Sequence, residues 1–308
     1  RMGIELCEPS YLYNLLNQYR RVSRLAEPNY LCLLDARSQP EYTESHIVTA
    51  RRILQSPTGE YLVPDSEELR CVRYCVVYDC ETSSLDCCDY EGEEKKKGMS
   101  AGEGAALQHA QSLELFTQHP VLVLRGGYRR FSACYHFLRT QKMLWMPQEL
   151  DNFQPYPVEI LPGKLYLGNF KQACEQQILK DLKIKAQVNL SEQPAALLAE
   201  GDKHLHIALP DSLEADLFSS FATICHFIDA QLAHGAVLVF SSLGISRSST
   251  AAMAYLMHSC HFSLQRAWSH VLKCKTNARP HRGFVQQLSA WEAQIYGTRI
   301  TEVSEPKY

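Results

Sequence analysis

The sequence predicts an α/β protein built as two domains, each a largely parallel sheet faced by helices. Three observations predict it. A chain of 308 residues exceeds one typical domain and suits two of about 150 residues each. Strand-like and helix-like segments alternate through the first half, as a parallel sheet with helices on its faces requires. In the second half an apolar run, Ala236–Phe240, passes through a glycine-bearing loop into a helix-like stretch, Ser249–His258. That order sets a loop at the C-terminal end of a buried strand, where α/β sheets usually bind ligands. With 45% hydrophobic residues, each half can bury a core.

In the first half, Ser10–Arg24 has helical spacing, with Leu12, Leu15, Leu16 and Tyr19 on one face. Tyr30–Leu34, Tyr74–Tyr78 and Val121–Leu124 read as short buried strands, and Ala105–Gln118 and Tyr128–Thr140 as helices. Asp86–Gly104 combines acidic residues, Lys95-Lys96-Lys97 and then Gly98, Gly102 and Gly104 without periodicity, and reads as a solvated surface loop.

Charge and cysteine content narrow the function. Residues 1–150 carry a net −3 and residues 151–308 a net 0, so nucleic acid is not expected as the main ligand. No apolar run approaches the roughly 20 residues that span a bilayer. Arg1–Ser10 lacks the apolar core of a signal peptide, and Glu5, Glu8 and Pro9 argue against a transit peptide. Twelve cysteines then read as reduced thiols of a cytoplasmic or nuclear protein. Cys71, Cys75, Cys80, Cys87 and Cys88 crowd together, but no pair has Cys-x-x-Cys spacing, and Cys75 sits in a core-like run. Neither metal nor cofactor is expected.

Leu33-Leu34-Asp35-Ala36-Arg37, Glu41-Tyr42, Ser45–Ala50 and Val121–Tyr128 resemble the rhodanese-like domain over roughly residues 10–145. An active rhodanese presents a Cys in an anion-binding loop after a central strand. Cys80 stands near that place, but nothing after it resembles such a loop, and Glu81 and Asp86 would repel sulfur anions. Sulfur transfer is not expected. Related kinase phosphatases dock kinases through a basic cluster of this domain, of which only Arg51-Arg52 remains. The domain is expected over residues 1–147, with a proline-rich linker at 148–157.

Residues 158–300 read as a second α/β domain, followed by a tail at 301–308. Strands are expected at Glu159–Asn169, Gln187–Leu190 and His206–Leu209, and helices at Ala173–Leu182, Leu217–Leu232, Leu264–Lys273 and Phe284–Tyr296. The loop from Phe240 to Ser248 carries Ser241, Ser242, Leu243, Gly244, Ile245, Ser246, Arg247 and Ser248. Successive backbone N–H groups before a helix N-terminus make an anion site. Arg247 would add a two-pronged donor for phosphate oxygens.

This loop resembles the His-Cys-x-x-Gly-x-x-Arg-Ser/Thr signature of the protein tyrosine and dual-specificity phosphatases. Phe240 stands for the His and Ser241 for the Cys, while Gly244, Arg247 and Ser248 match. The resemblance implies a rhodanese-like parallel-sheet domain followed by a dual-specificity-phosphatase-like α/β domain. That tandem occurs in the MAP-kinase phosphatases. The resemblance also makes Asp211 the candidate general acid, and Asp216 is the better placed helix cap.

The two changed positions generate the nucleophile. A thiol beside a helix N-terminus and cations ionises, its pKa falling from about 8.5 to as low as ~3.5–7.5. A serine hydroxyl there stays protonated and needs a base, and Phe240 offers none. His234 and His258 are the nearest histidines in sequence. Turnover is therefore expected to be lost, which makes the chain a pseudophosphatase. Binding is expected to survive, because two unit charges ~4 Å apart repel by about 4 kcal/mol at an effective dielectric near 20, and a neutral hydroxyl removes one of them. The expected partners are phosphorylated proteins, or the partners of active phosphatases, in the MAP-kinase neighbourhood that the resemblance implies. Two other readings stay open: slow Ser241-dependent hydrolysis, and a scaffold that binds through the first domain. Lys273, Lys275, Arg279, His281 and Arg282 either steer acidic partners or form an ordinary solvated surface.

Overall fold

The computed structural model of the chain describes residues 3–58, 60, 62–86, 104–195 and 201–303. Most of the expected loop at 86–104, with Cys87 and Cys88, and residues 304–308 of the expected tail lie outside the described residues. Two compact units divide between Gln154 and Pro155.

In the first unit the strands are β1 (Ile4–Cys7), β2 (Leu31–Asp35), β3 (His46–Ile47), β4 (Arg51–Arg52), β5 (Tyr74–Tyr78), β6 (Val121–Leu124) and β7 (Arg139–Thr140). The helices are α1 (Pro9–Leu16), α2 (Gln39–Glu44), α3 (Ser66–Cys71), α4 (Ala105–Leu113), α5 (Gly127–Cys134) and α6 (Pro147–Asp151). The main sheet runs β1-β6-β5-β2-β4 and is parallel throughout, while β3 and β7 pair separately. This is the parallel-sheet domain that the rhodanese-like resemblance implies.

The apolar runs of the first half form strands as expected, but three helices end early. The first stops at Leu16, because Asn17 and Gln18 turn their side-chain amides back onto the carbonyls of Tyr13 and Asn14. The second stops at Leu113. The segment expected as a helix through Thr140 breaks at Cys134, tightens into a 3-10 turn at His136–Leu138 and ends as β7. The linker expected at 148–157 begins with α6, whose first turn is closed by Glu149 accepting from the Met146 N–H at 2.8 Å.

A buried ion pair holds the first sheet's edge. Arg37 Nη2 donates to Asp35 at 2.8 Å, and the guanidinium lies 3.8 Å from the Tyr128 ring. At the end of β5, Cys80 donates to Glu41 at 3.2 Å. Burial and that carboxylate push the thiol up to about 12, which disfavours the thiolate at neutral pH. Glu81 is occupied by Arg129 at 3.0 Å.

The second unit comprises β8 (Val158–Leu161), β9 (Leu165–Asn169), α7 (Phe170–Ala173), α8 (Gln176–Asp181), β10 (Ile184–Asn189), β11 (Lys203–His206), α9 (Phe221–Leu232), β12 (Ala236–Ser241), α10 (Arg247–Ser259), α11 (Leu264–Cys274) and α12 (Arg282–Tyr296). Its sheet runs β11-β10-β12-β9-β8, parallel except for β8 against β9. The expected strand at His206–Leu209 instead ends at His206, and the helix expected at Ala173–Leu182 is two short ones, α7 and α8.

Every residue of β12 is buried, and so is α10 from Arg247 to Met257. A helix buried all round is a core element. Ala251, Ala252 and Ala254 keep its girth small, so β12, α9, α11 and α12 pack on it from several sides. Among the described residues no helix is long and apolar enough to cross a membrane.

Candidate phosphate site

Parallel strands present their C-terminal ends together. Here the ends of β9, β10 and β12 are Asn169, Asn189 and Ser241. The chain leaves β12 at Ser241, turns through Gly244 and enters α10 at Arg247, one residue pair earlier than the sequence suggests. Gly244 has φ +72°, and a Cβ on it would lie 2.7 Å from the Gly168 carbonyl oxygen. The turn therefore needs glycine twice over, for its left-handed backbone and for its approach to the end of β9.

The loop is braced from both flanks. Phe170 N donates to the Ser242 carbonyl at 3.4 Å, and Arg279 N to the Ile245 carbonyl at 2.9 Å. His281 N donates to Ser246 Oγ at 3.2 Å. Within the loop only Gly244 N turns inward, to Ser241 Oγ at 3.2 Å. The N–H groups of Ser242, Leu243, Ile245 and Ser246 donate to no acceptor among the described residues. Unused N–H groups before the N-terminus of a 13-residue helix are the physical content of an anion cradle.

Arg247 is buried, and its Nη1 donates to the carbonyls of Leu209 at 2.9 Å and Leu190 at 3.4 Å. These bonds fix the side chain from the ends of two neighbouring segments. Nε and Nη2 take no partner among the described residues, so donors remain for a phosphate oxygen. The carbonyls that orient Arg247 are invisible to sequence reasoning, because they are main-chain groups some 38 and 57 positions away.

Ser241 is only 2% exposed, and its Oγ lies 2.9 Å from Ser248 Oγ. Phe240 is fully buried, with its ring edge-on to Phe170 at 6.1 Å. Among the described residues no histidine or carboxylate touches the Ser241 hydroxyl. Ser242 and Leu243 are exposed at the loop's tip, Leu243 by 69%.

Asp211 lies two residues beyond the carbonyl that Arg247 holds. Its Oδ1 is 3.6 Å from His281 Nε2. His281 Nδ1 accepts from Phe284 N at 3.3 Å, which leaves the ring proton on Nε2, facing Asp211. His281 thus joins the phosphate loop, the Asp211 loop and the start of α12. Sequence reading placed it only among basic residues; its position two before Gly283, at a helix start, was the available signal. Asp216 does not cap α9, whose N-cap is Ser220; it braces the 3-10 turn Phe218–Ser220 before it, accepting from Ser219 N at 3.1 Å and Ser219 Oγ at 2.5 Å.

The basic group does not form one surface. Lys275 is 2% exposed, and burial pulls its ammonium down to about 8. Lys273, Arg279 and Arg282 are exposed. The register of α11 decides this, since Val271, Cys274 and Lys275 turn inward at its end. Among the described residues no group of three His, Cys, Asp or Glu is set to hold a metal ion.

Comparison with known proteins places these features. Residues 165–294 match the family described as dual specificity phosphatase, catalytic domain. The chain is 38% identical over 147 residues to dual specificity protein phosphatase Mpk3 of Drosophila melanogaster, a match that covers 47% of this chain and 36% of that protein. It is 29% identical over 178 residues to a probable rhodanese domain-containing dual specificity protein phosphatase of Dictyostelium discoideum, covering 57% and 37%. These two matches span little more than a third of the relatives' length. The match to dual specificity protein phosphatase 1-A of Xenopus laevis runs further, with 30% identity over 310 residues, covering 88% of this chain and 80% of that one.

Proposed function

The chain belongs to the dual specificity protein phosphatase family, and from that premise we propose that it binds phosphorylated side chains of partner proteins without hydrolysing them. On this reading it is a pseudophosphatase, similar to the serine/threonine/tyrosine-interacting-like proteins that join a rhodanese-like domain to a phosphatase domain lacking its nucleophile. One observation carries the proposal. Ser241 occupies the nucleophile's place with its hydroxyl bonded to Ser248 and Gly244 and, among the described residues, with no base in contact, while the rest of the loop keeps its unused N–H groups and Arg247.

A hydroxyl in that environment keeps its proton. The positive field of the loop and helix would stabilise an alkoxide, but the intrinsic acidity of serine lies far beyond what such a field shifts. A bound phosphate dianion then meets donors and no opposing charge. Captured phosphoproteins would be shielded from active phosphatases, and MAP-kinase signalling is the setting that the family suggests. Slow Ser241-dependent hydrolysis is the weaker reading, because Phe240 fills the place of a proton acceptor with a ring packed on Phe170.

Titration with a phosphotyrosyl or phosphothreonyl peptide tests the proposal. Saturable binding is expected for the wild type, with loss in Arg247→Ala and no inorganic phosphate released. Absence of binding, or binding unchanged by Arg247→Ala, would sink it. Phosphate release abolished by Ser241→Ala would establish the hydrolytic reading instead.

A further inference from the structure

Cys32 and Cys75 are register partners on the adjacent parallel strands β2 and β5. Side chains alternate along a strand, so the two sulfurs share one face with Leu34 and Val77 in the first unit's core. Adjacent strands lie roughly 4.7–4.9 Å apart, within the usual disulfide Cα separation of about 4.4–6.8 Å.

Cys32 is set apart from an ordinary core thiol by a cation. Arg51 Nη2 donates to its sulfur at 3.1 Å, and Glu68 holds the same guanidinium at 2.7 Å. The hydrogen bond from Cys75, opposed by burial and supported by Arg51, holds the Cys32 thiol below its ordinary value. The neighbouring Cys32 sulfur and burial push the Cys75 thiol up. Cys32 is thus the sulfur placed to attack first, while Cys75 keeps its proton until a sulfenic acid forms beside it.

Cys32 and Cys75 are 1% and 2% exposed, and β2 lies beside the sheet's short edge strand β4. β4 pairs only with Leu34 and Asp35, so Leu31–Leu33 have no strand partner on that side among the described residues. The Arg51 side chain, 47% exposed, spans from solvent to the Cys32 sulfur.

We propose that Cys32 and Cys75 form an oxidisable dithiol, a modification site at which a peroxide joins two core thiols into a cross-strand disulfide. The Cys32 thiolate attacks one peroxide oxygen, the O–O bond breaks, and the departing hydroxide takes up the proton that Cys32 released. Cys75 sulfur then attacks the resulting sulfenic acid, its proton leaving with the hydroxyl as water. Two thiols lose two electrons and one peroxide becomes two waters. The site lies in the other domain from the phosphate loop and stands whether or not that loop binds phosphate.

The full chain treated with hydrogen peroxide, then alkylated and peptide-mapped, tests this. The expected result is a linkage between the Cys32 and Cys75 peptides that forms before the exposed Cys71 and Cys134 are oxidised. Arg51→Leu slows it roughly tenfold, the effect of about one pKa unit on thiolate content. In Cys75→Ser, dimedone labels Cys32 as the trapped sulfenic acid, whereas Cys32→Ser leaves Cys75 unlabelled. Wild-type chain in which Cys32 and Cys75 stay reduced while Cys71 and Cys134 oxidise overturns the proposal, and that result needs no variant to fold.

Discussion

Ser241 Oγ and Ser248 Oγ face each other across 2.9 Å at the two ends of the phosphate loop, both buried. With the Gly244 N–H, Ser248 forms the set of donors that would steady a thiolate at position 241. Here they hold a neutral hydroxyl. On the proposed reading the consequence is asymmetric: the charge needed for attack on phosphorus is gone, while the donors for a phosphate's outer oxygens are kept.

Arg247→Ala should cost both affinity and stability. The buried guanidinium ties α10 to the Leu209 and Leu190 carbonyls, and hydrogen bonds from a charged group contribute about 1.5–3 kcal/mol each. Urea denaturation should show a loss of at least about 1.5–3 kcal/mol, the share of the 2.9 Å bond to Leu209, with the longer bond to Leu190 adding less. Arg247→Lys should recover part of the stability, and less of the binding, since an ammonium lacks the planar fork.

Gly244→Ala should destabilise the second domain. The left-handed backbone alone costs an ordinary residue about 1–2 kcal/mol, and the new Cβ would press on the Gly168 carbonyl. A lowered midpoint in thermal unfolding is expected. Gly163→Ala is the control, because it shares the positive φ but would meet open space.

Glu292 gives the domain an acid-sensitive clamp. Burial alone would raise its carboxyl, but bonds from Leu264 N, Ile300 N, Thr301 N and Thr301 Oγ outweigh that and hold it below its ordinary value. A depressed native pKa adds stability above the unfolded value of about 4.3, and that increment is lost as pH falls through the native value. Glu292→Gln should therefore be destabilised at pH 7, with the gap from wild type closing below about pH 4. Thermal midpoints across that range provide the check.

Cys80 should resist alkylation at pH 7.5, as its thiol is pushed up to about 12 by burial and Glu41. Glu41→Gln removes the opposing charge, so labelling by iodoacetamide should accelerate at Cys80. Exposed Cys134 should label at one rate in both proteins.

Much of this was legible in the sequence where the signal is local. Val76 and Val237–Phe240 lie in apolar runs too short for helices and too apolar for loops, and each became a buried strand. The spacing of Gly244 and Arg247 marks the turn between β12 and α10 as the candidate anion site. Helix ends were legible only in part, because Asn17 and Gln18 compete for carbonyls with their own side chains and no periodicity records that. Contacts between distant segments were not legible. The bridge from His281 to Ser246 and Asp211, and the burial of Lys275, depend on how α11 and α12 pack against α10.

The restoring pair Phe240→His with Ser241→Cys gives the most direct measurement, read as steady-state hydrolysis of an aryl phosphate by the folded double variant. If only the nucleophile has been removed, the variant hydrolyses the substrate, the wild type does not, and Arg247→Ala on the restored background abolishes the gain. A double variant that folds, with an unchanged circular dichroism spectrum, and remains inert would show that the cradle itself no longer supports phosphate chemistry.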